Sequence, residues 1–134
     1  RPGGQFGIVV VGLAREIENW LPPHLTEPQS NGKVFWEPSC RCFKTAAFWR
    51  KLWRGSPMLA NVAVDVQPDG WRHWRDFELA LQAAGKSIFP SDAEAQEKDH
   101  GETISFLNLT ARRTEAEGED FYDPALGAKV GVDG

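Results

Sequence analysis

The chain has 134 residues, 41% of them hydrophobic and 25% charged, which is the length and composition of one ordinary globular domain. Its net charge of −4 and pI near 5.4 argue against nucleic acid and anionic membranes as partners, because both reward a basic face. No run approaches the ~18 apolar residues of a spanning helix, the first residues lack the regions of a secretory leader, and Cys40 and Cys42 are too close for an easy disulfide, so a reduced, cytoplasmic setting is expected.

The chain opens on Arg1-Pro2-Gly3-Gly4 without Met, so a preceding segment is expected. Pro2-Gly3 suits the centre of a type II turn. The β-branched run that follows, over residues 6–11, predicts a central strand covered on both faces in a parallel or mixed sheet. Gly12 is expected to end it, and residues 13–20 to form a short helical turn that Pro22-Pro23 cuts off. Residues 21–38 carry four Pro and the pair Asn31-Gly32, and read as an irregular surface excursion of the kind that often carries function.

Thr45 is placed to cap a helix through residue 54, with Phe48, Trp49, Leu52 and Trp53 on one face and Gly55 and Pro57 as its stop. Residues 60–66 alternate as a half-buried strand does, and Pro68-Asp69-Gly70 makes the next turn. A helix over 71–84 is predicted, with Asp69 as N-cap and Trp74, Phe77, Leu81 and Ala84 as its inward stripe. Gly85 stops it. Ser91 and Glu94 have capping-box spacing for a helix over 92–98 that His100-Gly101 closes. Residues 103–111 predict a last strand with Ser105, Leu107, Leu109 and Ala111 on one side, and Ile104, Phe106 and Asn108 on the other. Beyond it, residues 114–134 read as an acidic, Gly-rich, flexible tail.

This element order describes half of a doubly wound sheet. The segment Arg1-Pro2-Gly3-Gly4-Gln5-Phe6-Gly7-Ile8 resembles the turn that introduces the fifth strand of class I S-adenosylmethionine-dependent methyltransferases. Residues 32–53, then Pro68-Asp69-Gly70-Trp71 with Trp74, Phe77 and Glu78, and the closing Ala111-Arg112-Arg113 resemble a bacterial group of such enzymes. The resemblance spans residues 1–113, including a cap over 21–43. It implies an α/β fold, the C-terminal part of a Rossmann-like sheet of strand order 3-2-1-4-5-7-6, with strands 5, 6 and an antiparallel 7 supplied here. Strands 1 to 4, and with them the Gly-rich turn and acidic strand end that hold the cofactor, have no counterpart in the chain. Gly3, Gly4 and Gly7 precede a strand instead of following one, so no cofactor-binding residue is assigned. The resemblance therefore implies S-adenosylmethionine for the complete enzyme only, and an isolated chain that is inactive.

Such a half contributes the walls that hold a small, partly apolar methyl acceptor. The candidates are Phe35, Trp36, Glu37 and Phe43 in the cap, with His24 as a base. The competing reading is that these aromatics close the core and His24 is a solvated loop residue. Cys40-x-Cys42 lacks the paired spacing of a zinc site, and no metal is expected. The cations interleaved with Trp49, Trp53, Trp71 and Trp74 read as a solvated edge beside a buried stripe, and the acidic stretches 92–99 and 115–120 as solvated. The alternative to an enzyme half is a non-catalytic α/β binding or assembly module. In either case the strand over 6–11 should present an unpaired apolar edge, which invites a homodimer.

Overall fold

The structure, a computed structural model, describes residues 1–116 and is mixed α/β. Three strands, β1 (Gln5–Leu13), β2 (Leu59–Val66) and β3 (Ile104–Arg113), form one sheet in the order β1-β3-β2. β3 runs antiparallel to both neighbours, so β1 and β2 are parallel to each other across it. The helices are α1 (Pro23–Thr26), α2 (Ala46–Arg54), α3 (Gly70–Ala83) and α4 (Asp92–Asp99), with a 3-10 helix at Pro38–Cys42. Among the described residues no helix is long and apolar enough to cross a membrane.

The strand alternation divides the core in two. On one face Val10, Leu107, Leu109 and Val64 meet Ala46, Trp49 and Trp53 of α2. On the other, Leu13, Ile104 and Val11 meet Leu25, Phe35, Ala95 and Trp74 from the cap, α4 and α3. β3 lies between the two cores, with Leu107 and Leu109 fully buried. The expected side-chain split of β3 is therefore observed, and the strand begins and ends within two residues of the prediction.

The strand over 6–11 is present, but its coverage is not as expected. Phe6, Ile8 and Val9 are 43%, 51% and 55% exposed, because β1 is a terminal strand whose outer side lacks a neighbour among the described residues. Only its last residue is paired there: the Leu13 N–H donates to Lys44 O at 3.0 Å. Backbone direction alternates along a strand, so the N–H and C=O groups of Gln5, Gly7, Val9 and Val11 point the same open way. Gly12 does not end the strand. It lets the 44–45 segment come alongside, since a Cβ there would stand 2.5 Å from Lys44 O and 2.7 Å from Leu107 Cδ1.

Several local expectations need correction. Leu13 still belongs to β1 and residues 14–20 form bends instead of a helical turn, and Pro23 begins α1 where it was expected only to forbid a helix, as its fixed φ suits a first turn. Thr45 caps α2 as predicted, its Oγ1 accepting from the Phe48 N–H at 3.3 Å. Asp69 precedes α3 in a left-handed conformation (φ 56°), and its side chain makes no cap bond. The inward stripe of α3 is rotated: Phe77 is 61% exposed, whereas Glu78 is buried beside Trp74 and Leu81. The capping box of α4 does not form, because Glu94 turns instead to the Ser30 N–H (3.0 Å) and to Lys98 Nζ (2.7 Å). That pairing holds the Glu94 carboxyl down at about 2.

Candidate functional site

β1 and β2 finish, and β3 begins, at the same end of the sheet: Leu13 pairs with Ile104, and Val66 with Leu107. The cap follows β1 directly and packs there. In open α/β sheets, ligands gather beyond the carboxyl ends of parallel strands, so this end is the one to inspect.

A histidine and a buried aspartate meet at it. His24 Nε2 lies 2.8 Å from Asp99 Oδ1, and the other oxygen, Oδ2, accepts from the backbone N–H groups of Thr103 (3.0 Å) and Ile104 (2.8 Å). The Asp99 side chain is fully buried and that of His24 is 24% exposed. His24 is further held through its carbonyl, which accepts from Gln29 Nε2 at 2.6 Å. The reading of His24 as a solvated loop residue is thereby overturned: α1 sets the ring against α4, 75 residues away. The stretch 92–99 is not uniformly solvated either, since Asp92, Gln96 and Asp99 are buried.

The remaining candidates divide between core and rim. Phe35 is buried, in edge contact with Trp74 at a centroid distance of 5.9 Å. Trp36 and Phe43 are half-buried and meet edge to face at 6.1 Å, both against the core cluster that includes Leu25. The backbone brings this pair beside α1, for the Trp36 N–H donates to Leu25 O at 2.8 Å. Glu37 is exposed and occupies the N-cap of the 3-10 helix, with its N–H directed at Cys40 Sγ (3.4 Å).

Next to this rim is an acidic cluster that the sequence did not suggest. Burial pushes the Asp92 carboxyl up to about 7, and the charges of Glu78 and Glu37 push the same way. Burial likewise raises the Cys40 thiol, whereas Cys42 is exposed. Glu78 is tied by the Ser87 hydroxyl, which donates to Oε2 at 3.0 Å. Among the described residues no group of three His, Cys, Asp or Glu side chains is arranged to hold a metal ion.

Two surface clefts lie elsewhere. One, between α3 and α4, is lined by Arg75, Glu94, Glu97 and Lys98, charges largely paired with one another. The other lies over the open part of the sheet and is lined by Val9, Val11, Trp74, Phe77 and Phe106. Three of the interleaved cations, Arg50, Arg72 and Arg75, lie against protein groups. Arg72 and Arg75 each stand 5.2 Å from the Trp71 ring, and Arg50 donates to Val64 O at 2.8 Å.

The sequence suggested His24 but not Asp99, which supplies its geometry. The available signal was position: an Asp ending a helix four and five residues before the first N–H groups of a strand can accept from both. Compared with known proteins, the chain matches no family model, no curated protein and no solved structure.

Proposed function

We propose that this chain is the substrate-side half of an S-adenosylmethionine-dependent methyltransferase that acts on a small, partly apolar molecule. The observation that carries the reading is the strand order. Two parallel strands flank an antiparallel third, as strands 5, 7 and 6 do in the sheet implied by the sequence resemblance. The open outer side of β1 is where strand 4 of such a sheet would pair.

The cofactor would supply an electrophilic methyl group, and the residues described do not fit it. Gly3, Gly4 and Gly7 stand at the amino end of β1, opposite the cap, and no Gly-rich turn leads from a described strand into a helix N-terminus. What this half does is serve the acceptor. Trp36 and Phe43 give it an apolar wall, Glu37 stands at the polar rim, and His24 faces it as a base. Phe35 supports that wall from within the core.

The test has two arms. Calorimetry of this chain with S-adenosylmethionine is expected to show no tight binding, whereas the complete product of the coding frame that includes Arg1 is expected to bind it. That product should also transfer labelled methyl to small aromatic alcohols or amines. Tight binding by the chain alone would remove the missing half from the account. A frame that opens directly before Arg1 would leave the free-standing α/β module in its place.

A further inference from the structure

We infer that Asp99 is a positioning residue that fixes the tautomer of His24, leaving Nδ1 as the basic atom, and that the methyl acceptor is therefore a hydroxyl or amine that gives its proton to Nδ1. The second half of this statement rests on the methyltransferase reading; the first does not.

The argument is one of hydrogen-bond capacity. Asp99 Oδ2 is already occupied by two backbone donors, the N–H groups of Thr103 and Ile104, and Oδ1 faces His24 Nε2 at 2.8 Å. An acceptor oxygen requires a donor opposite it, so Nε2 carries the ring proton and Nδ1 carries the lone pair. Among the described residues nothing hydrogen-bonds Nδ1, and the ring is partly open to solvent. Asp99 cannot turn away without leaving two buried N–H groups unsatisfied, so the arrangement is locked by the α4 to β3 junction. A free lone pair on Nδ1 accepts a proton from an O–H or N–H group. The O–H or N–H bond breaks, its electron pair stays on the acceptor's oxygen or nitrogen, the proton moves to Nδ1, and the positive imidazolium is left facing Asp99. An acceptor without such a proton, a thioether for example, would have no use for this pair.

The same capacity argument predicts what Asp99→Asn does. The amide oxygen must take over the two backbone N–H groups, which turns the amide NH2 toward His24 Nε2. The imidazole must then accept at Nε2 and move its proton to Nδ1. The fold is kept and the tautomer is inverted, the logic by which an Asp-to-Asn change disables a catalytic histidine in serine proteases.

Long-range proton–nitrogen correlation spectra of the labelled chain at pH 8 read this directly, with His24→Asn used to assign the ring among His24, His73 and His100. The expected result is the Nε2–H tautomer in the parent chain and the Nδ1–H tautomer in Asp99→Asn, with the β3 amide signals unmoved. An Nδ1–H or evenly mixed tautomer in the parent chain overturns the positioning role without recourse to any variant. In the complete protein, Asp99→Asn and His24→Asn are expected to slow methyl transfer by about 10² to 10⁴. Transfer that persists within about twofold in both variants refutes the base assignment while sparing the methyltransferase reading. The predicted tautomers together with no methyl transfer to any acceptor refute the acceptor class and that reading, and leave the positioning role standing.

Discussion

At the rim of the cap, Asp92 is held in a protonation state that works against the fold at neutral pH. Its carboxyl has an ordinary value of 3.8 and is raised to about 7 by burial, then by Glu78 and Glu37. Between those values the folded chain keeps a proton that the unfolded chain has released, so stability from this group is greatest at low pH and falls as pH rises from about 4 to 7. Glu94 acts in the opposite sense and in a lower window: its value is depressed to about 2, so its contribution is present above 4.5 and lost as pH falls below that. Asp92→Asn keeps the neutral shape at every pH. It is expected to raise stability at pH 8 by roughly 1–3 kcal/mol and to flatten the slope between pH 4 and 7 in denaturant titrations. Parallel slopes for the parent chain and the variant would show that Asp92 ionises freely. Neither Asp92 nor Asp99 could be told from a solvated acid in the sequence. The acidic stretch 92–99 is interspersed with small residues, and what buries five of its eight residues is the packing of α4 against α1 and α3, which local pattern does not encode.

The elements with the plainest periodicity were the legible ones. The Thr45 cap, the Gly55 stop and the stripe of α2 follow from the sequence, as do the two faces of β3. α3 was placed within a residue at each end but rotated, because a helical stripe of Trp74, Phe77 and Leu81 competes with one of Trp71, Trp74, Glu78 and Leu81, and only tertiary contact chooses between them. The β-branched run of β1 identified a strand and misjudged its covering for the same reason: sheet position is a property of neighbours. Of the candidate site, His24 and the aromatic pair were legible, and the carboxyl that orients His24 was not. As a β1 edge with no charged residue from Gln5 to Leu13 lacks the usual protection against pairing, we propose that isolated chains associate through it. Sedimentation at rising concentration is expected to show species heavier than the 15.0 kDa monomer, and Val9→Lys to abolish them. A strictly monomeric parent chain at high concentration would contradict this.

Seen whole, the described residues bury one face of β3 and the first part of the other, and the outer edge of β1 is left without a neighbour. α2 closes one face, and the cap with α3 and α4 closes the carboxyl end of the other. Toward Gln5 both faces of β1 are partly open: Phe6 and Ile8 on the α2 side, where Phe6 meets the Trp53 ring at 5.3 Å, and Val9 on the other. A sheet that ends on its most β-branched strand is one whose sequence is suited to a further neighbour. The open β1 edge ties the strand order to the proposed enzyme half, and it is visible in the amide groups themselves. The most direct measurement is residue-resolved hydrogen exchange along β1, in the dilute chain and in the complete gene product. The account predicts that the N–H groups of Gln5, Gly7 and Val9 exchange freely in the dilute chain and about 10²-fold or more slowly in the complete protein, while those of Ile8 and Val10, turned toward β3, are protected in both. Equal exchange at Gln5, Gly7 and Val9 in the two would mean that β1 is a true outer edge and that no larger sheet is built on it.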